Sequence, residues 1–438
     1  MNHTQMSGAA ADADVQYNPP RKLNRNDAKT LSLSALGGAL EFYDFIIFVF
    51  YANVISQLFF PATLDPFWAS LNTYGAFAAG YFARPLGGVV MAHFGDLVGR
   101  KRMFTLSILL MAIPTLCIGF LPTFDSIGYA APILLLLMRV LQGIAIGGEI
   151  PAAWVFVAEH VPKKRIGLAD GTLTMGLVSG ILLGSLMALA MSLVFSEEAI
   201  KEWAWRLPFI VGGVLGFVAM YLRRWLEETP IFKEMKARKA LHDGIPLKTI
   251  FANYKGAMVL SGLLTWLLTG CVVVMLLMAP NLMSGTFNMP RTQIFTMQSF
   301  AILATCIGCV VSGMMCDKMG AAKTFVLWSL ALLVSSWLFY HSLGTASALQ
   351  IAALYALTGF FGGILGSIPY VMVHLYPANI RFSGISFSYN IAYAIFGGIT
   401  PILIVWLNDK SPVGAAYYMA FLAVMGVAIG LYLFKRKI

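Results

Sequence analysis

The stretch Ala83-Arg84-Pro85-Leu86-Gly87-Gly88, running on to Gly95-Asp96-Leu97-Val98-Gly99-Arg100-Lys101-Arg102, decides how the chain reads. It begins with an arginine inside an apolar segment and ends in a short basic turn before the next apolar segment starts. A cation in hydrocarbon costs about 2.5–3.5 kcal/mol on insertion scales, so one that is kept there is as a rule paired and functional. The basic turn marks the side of a membrane that the loop faces, because Lys and Arg are retained on the cytoplasmic side.

Outward from this stretch the chain is apolar almost throughout. Of 438 residues, 59% are hydrophobic and 11% charged, where a soluble domain carries about a quarter charged residues. Apolar runs long enough to span a bilayer recur near 31–55, 67–93, 103–121, 131–159, 166–195, 205–225, 252–282, 293–315, 323–341, 347–374, 383–407 and 413–434. This predicts an all-α polytopic membrane protein with twelve transmembrane helices. The net charge of +10 sits mostly in short loops, so it argues for membrane orientation and against a nucleic-acid partner. Alternate loops are basic (Arg100 to Arg102, Lys163 to Arg165, the segment around Lys233 to Lys239), whereas 56–66 and 122–130 hold no Lys or Arg. Both termini are therefore expected to be cytoplasmic. Residues 1–30 read as a disordered tail without a cleavable signal. The five cysteines fall in or beside apolar segments; Cys306 and Cys309 share a helix face, yet without nearby His or carboxylates they read as packing residues.

The central loop, 226–250, separates a first bundle, 31–225, from a second, 251–434, which ends in a basic tail, 435–438. Gly95-Asp96-Leu97-Val98-Gly99 in one half answers Cys316-Asp317-Lys318-Met319-Gly320 in the other. Glu159-His160-Val161-Pro162 likewise answers His374-Leu375-Tyr376-Pro377, at nearly the same offset. Such a duplication predicts two pseudo-symmetric six-helix bundles, the architecture of secondary transporters.

These residues resemble the major facilitator superfamily. Asp96, Gly99, Arg100 and Lys101 stand as in its G-x-L-x-D-R-x-G-R-K loop, with Ala92, Phe94 and Leu97 departing from the pattern; Arg139-Val140-Leu141-Gln142-Gly143 resembles its R-x-x-Q-G motif. Glu41-Phe42-Tyr43-Asp44-Phe45, Ala83 to Gly88, Gly147-Gly148-Glu149, Leu226 to Pro230 and Ser388 to Tyr393 resemble the metabolite:proton symporters of proline and betaine, citrate, α-ketoglutarate and shikimate. The resemblance implies a bacterial inner-membrane symporter that takes up a small polar metabolite with protons, as a monomer and without a cofactor.

Five ionisable residues fall deep in predicted spans: Glu41, Asp44, Arg84, Arg139 and Glu149. At about 1.5 Å per residue, Glu41, Arg84 and Glu149 lie at one depth, and Asp44 and Arg139 nearer the outer side. Depth thus predicts an Asp44–Arg139 pair and a cluster of Arg84 with Glu41 and Glu149. A carboxyl whose pairing changes during transport exchanges a proton in step with it; the bland alternative is that these pairs only hold helices together. Asp44 is the first choice for the proton site, Glu41 the second. The second bundle shows no deep charge, so its polar and aromatic residues are the candidates for solute contact: Trp266, Tyr370, Tyr389, Asn390 and Tyr393, with Tyr43, Gln142 and Arg84 from the first. Packing aromatics are the plain alternative for each ring.

A gate at the cytoplasmic side is expected from Asp96, Gly99, Arg100 and Lys101, less completely from Asp317 and Lys318, and from Glu159, Arg165, His374 and Arg381. Gly143 and Gly147, and Gly176, Gly180 and Gly184, have the four-residue spacing of close helix contacts. The absence of a proline between Gly176 and Gly184 speaks against a drug:proton antiporter. A uniporter or exchanger, with the charges purely structural, is the alternative within transport. Neither a phosphate loop nor a metal or nucleophile constellation stands out, so an enzyme is not expected.

Overall fold

The computed structural model describes residues 21–61, 63–64, 66–226 and 246–436. Its long helices are α1 (Arg25–Phe50), α2 (Pro66–Val98), α3 (Arg100–Phe120), α4 (Ala130–His160), α5 (Ile166–Val194) and α6 (Arg206–Arg223). They continue as α7 (Lys255–Met278), α8 (Arg291–Met319), α9 (Ala321–Ser342), α10 (Ala348–Leu375), α11 (Arg381–Lys410) and α12 (Gly414–Arg436). Ten helices among the described residues are long and apolar enough to cross a membrane, or eleven if the bent pair ending in α6 counts as one span. The expected twelve is therefore not reached by that measure; α2, the helix left over, includes side chains outside the described residues.

Helix α1 starts earlier than expected, inside the stretch read as a disordered tail. Asn24 accepts the Asp27 N–H at 2.8 Å while Asp27 accepts the Asn24 N–H at 2.9 Å, a capping box that satisfies two orphan donors. Arg21 then ties this end down, donating to Asp27 Oδ1 and to the His160 carbonyl, both at 2.9 Å.

The main contacts within the first bundle recur six helices later. Helix α2 packs on α4 as α8 does on α10, α3 on α6 as α9 on α12, and α1 on α5 as α7 on α11. The seam between bundles repeats the same way, α5 against α8 and α11 against α2. Glycine makes these approaches possible. A Cβ at Gly143 would collide with the Gly80 carbonyl, one at Gly147 with that of Arg84, and one at Gly176 with that of Ala35. Gly167 and Gly313 meet backbone to backbone across the seam. The repeated turns agree in backbone too: Gly99, between α2 and α3, has φ 130°, and Gly320, between α8 and α9, has φ 87°, values that L side chains avoid.

Two helices of the second bundle are irregular at mid-length. Helix α7 passes through a π-helical stretch, Val272–Met278, and α10 through a 3₁₀ stretch, Gly363–Ser367. Carbonyls in or beside a distorted stretch need donors in a dry interior. Tyr340, Tyr355 and Gln298 donate to the Val274, Met275 and Leu276 carbonyls, and Ser312 Oγ donates to that of Gly363 at 2.6 Å.

Candidate functional site

Arg84 lies on α2 where that helix faces α11, and is 1% exposed. Its guanidinium carbon sits 3.8 Å from the ring centroid of Tyr393, 5.3 Å from Tyr389 and 5.8 Å from Tyr81. Tyr81 and Tyr393 stack at 5.5 Å, and Trp154 meets Tyr389 edge-on at 5.1 Å. Arg84 Nε donates to Asn390 Oδ1 at 3.4 Å. Asn390 Nδ2 in turn donates to the carbonyls of Gly147 at 2.6 Å and Ser386 at 2.7 Å, and Ser386 Oγ donates to that of Gly88 at 2.9 Å. One face of α11 is thus bonded to α2 and α4 of the other bundle.

This corrects the predicted Arg84 cluster. Glu149 does not pair with Arg84; it accepts from Ser107 Oγ on α3. The Glu41 side chain lies outside the described residues, as do those of Asp96 and Arg100 in the predicted gate. Tyr81 and Trp154 were missed, although Tyr81 shares the Arg84 face of α2 three residues earlier. Trp266 and Tyr370, predicted to line the site, make their contacts elsewhere. Trp266 stacks on Phe396 at 4.1 Å and donates to Tyr418 Oη at 2.8 Å. Tyr370 packs against His374 at 4.5 Å.

The predicted Asp44–Arg139 pair is not formed either. Asp44 is fully buried and faces α6, where a Cβ at Gly212 would come within 2.5 Å of its Oδ1. Neither carboxylate oxygen has a hydrogen-bond partner among the described residues. Arg139 Nη1 donates instead to Gln142 Oε1 at 2.7 Å, Gln142 Nε2 donates to Thr115 Oγ1 at 2.7 Å, and Arg139 covers the ring of Phe48 at 4.2 Å. Depth was insufficient to predict this: Phe48, one turn on from Asp44 on the same face of α1, takes the place against Arg139, while Asp44 packs at Gly212 of α6. The two systems still adjoin, since Asp44 and Thr115 both pack at Gly212. Tyr43, a further candidate, donates to the Pro208 carbonyl at 3.0 Å.

Three contacts lie at the end of the molecule where α1 starts and α12 stops. Arg381 Nη1 stands 3.2 Å from Glu159 Oε1. Asp317 accepts the backbone N–H groups of Gly167 at 2.7 Å and Leu168 at 2.8 Å, so the carboxylate of one bundle caps the first turn of α5 in the other. Within the first bundle Lys101 Nζ reaches the Arg224 carbonyl at 3.4 Å. Asp317 was expected to latch weakly for want of basic neighbours; its partners are main-chain donors, which a search for opposite charges passes over. Lys318 and Arg165 are exposed, and His374 Nδ1 lies 2.6 Å from the Tyr370 carbonyl. Asp170 was also missed: it is fully buried on α5, one turn from Gly167, with no hydrogen-bond partner for either oxygen among the described residues.

The description of the Major Facilitator Superfamily matches residues 36–401. A putative proline/betaine transporter of Staphylococcus aureus (strain COL) is 32% identical over 412 residues, 92% of this chain and 87% of that one. The glycine betaine/proline/ectoine/pipecolic acid transporter OusA of Dickeya dadantii is 32% identical over 428 residues, 92% of this chain and 83% of that one. Among solved structures, the proton:xylose symporter XylE bound to 6-bromo-6-deoxy-D-glucose superposes with a TM-score of 0.78 at 14% identity, over 93% of this chain and 95% of that one. The duplicated helix packing, the seam and these likenesses agree: the chain is a multi-pass integral membrane protein and belongs to the major facilitator superfamily of transporters.

Proposed function

We propose that this transporter takes up a small zwitterionic or carboxylate metabolite together with protons, by alternating access. Asp44 carries the reading: a buried carboxyl to which no described residue donates on either oxygen is most stable with a proton attached. It adjoins the Arg139–Gln142–Thr115 chain, so a shift of α6 or α3 that brings a donor or the guanidinium nearer releases that proton. Glu41, one turn before Asp44 on α1, is the second candidate.

Arg84 supplies the solute side. It is a guanidinium between the bundles, held by an amide and ring faces, and it makes no ion pair among the described residues. A carboxylate arriving there gains a bidentate partner in a dry site. The relatives named for proline and betaine favour a zwitterion. Twelve spans, cytoplasmic termini and residence in the bacterial inner membrane as a monomer belong to the same reading, with the Glu159–Arg381 and Asp317 contacts as the inner gate. Asp96 and Arg100 would serve that gate by analogy with Asp317.

The test is uptake into proteoliposomes holding the purified full chain. Glycine betaine or proline should accumulate only while an inward proton gradient is imposed. Accumulation that survives a protonophore overturns the coupling; equilibration without accumulation favours a uniporter.

A further inference from the structure

Three tyrosines from two bundles surround one cation, and that cation is the protein's own. Arg84 lies beside all three rings, nearest the face of Tyr393, while Tyr81 and Tyr393 stack on each other. Ring faces attract any weakly hydrated cation, quaternary ammonium ions in particular. The guanidinium is nonetheless incompletely bonded there. Arg84 Nη2 is buried without an acceptor among the described residues, and so is Trp154 Nε1 beside Tyr389. Two buried donors without acceptors are expensive, and together they specify what is lacking, an anion close to a cage for a cation.

We propose that the tyrosine cage is the cation subsite for a zwitterionic substrate whose quaternary ammonium head displaces Arg84, and that the freed guanidinium pairs with the substrate's carboxylate. Two cations cannot share the cage, because like charges at this separation in a dry interior repel strongly. Entry of the ammonium therefore drives Arg84 out, and the carboxylate offers the acceptor it lacked. The exchange also breaks the Arg84–Asn390 hydrogen bond, one of those joining α11 to the first bundle. Substrate recognition is in this way tied to loosening of the seam. A carboxylate without a cationic head brings nothing to take Arg84's place against the rings, and binds more weakly. The proposal rests on the zwitterion-uptake reading above and narrows it.

The probes are glycine betaine and its uncharged-head isostere, 3,3-dimethylbutanoate, titrated calorimetrically into the purified full chain. The wild type should bind glycine betaine about tenfold or more the tighter, the range expected of a desolvated cation–π site. Tyr393→Phe keeps a ring face and should keep that ratio. Tyr393→Leu and, independently, Tyr389→Leu should bring the ratio close to one. Because the ratio is taken within each variant, partial loss of folded protein cancels, and the second variant stands in if the first does not fold. A wild-type ratio near one, binding of neither probe, or a ratio unchanged in both leucine variants overturns the proposal. Uptake is a separate readout: an intact, tyrosine-dependent ratio without accumulation in proteoliposomes supports the cage and fails the uptake reading. Accumulation with a ratio indifferent to both tyrosines does the reverse.

Discussion

Arg381 Nη1 and Glu159 Oε1 lie 3.2 Å apart at the start of α11 and the end of α4, and the Glu159 side chain is fully buried. Their chain positions are 222 residues apart, so the contact exists only while the two bundles touch at this end. Removing one charge of a buried pair typically costs about 3–5 kcal/mol. That cost falls on the closed state alone, since opening exposes both groups to water. Glu159→Gln should therefore shift the protein toward a state open at this end. A cysteine placed by Ser386→Cys, on the buried seam face of α11, should then react several-fold faster with an impermeant maleimide, measured against Glu159→Gln alone. Unchanged labelling means the pair does not hold the gate.

The Asp317 cap makes a milder prediction. Asp317→Asn keeps the shape but removes the charge at the start of α5 and can satisfy the two N–H groups less well. A charge-assisted bond of this kind contributes about 1.5–3 kcal/mol. Asp317→Asn should raise the same maleimide reactivity, to a lesser degree than Glu159→Gln.

Asp44→Asn separates coupling from solute handling. Asparagine is neutral at every pH, so the variant resembles a permanently protonated site. It should lose accumulation driven by a proton gradient and keep exchange of labelled for unlabelled solute across proteoliposomes. Accumulation at the wild-type level would move the proton site elsewhere, Glu41 being next.

The glycine seam gives a stability prediction with an internal control. A methyl at Gly143 meets the Gly80 carbonyl oxygen, a main-chain atom that has no rotamer with which to escape. Overpacking of this sort costs about 1–3 kcal/mol, so Gly143→Ala should melt several degrees lower in detergent. Nothing lies within 4 Å of a Cβ built on Gly398, and alanine is the better helix former. Gly398→Ala should melt at the wild-type temperature or slightly above; equal losses at the two sites would argue against the α2–α4 contact.

The helices themselves were legible in the sequence. Apolar length, basic loops and the Asp96–Gly99 and Asp317–Gly320 repeats belong to the chain alone, and the described helices follow the predicted spans within a few residues, α1 excepted. The close contacts of Gly143, Gly147, Gly176 and Gly180 were legible too, because four-residue spacing puts small residues on one helix face whatever that face meets. Partners across helices were not. Rise per residue gives the depth of Asp44 and Arg139, but which way each points depends on how α1 and α4 are rotated, and the glycine contacts set that rotation. Arg84 was marked as exceptional by its charge in an apolar run. That its neighbours are Asn390, Tyr389 and Tyr393, some three hundred residues on, follows from α2 and α11 meeting at the seam. The sequence by itself determined a duplicated, membrane-spanning chain whose charges deep in the spans are concentrated in the first half. Only the tertiary structure decided that Asp44 has no hydrogen-bond partner among the described residues, that Asp317 caps a helix of the other bundle, and that Arg84 lies against three tyrosines, since each depends on distances between helices that no local pattern encodes.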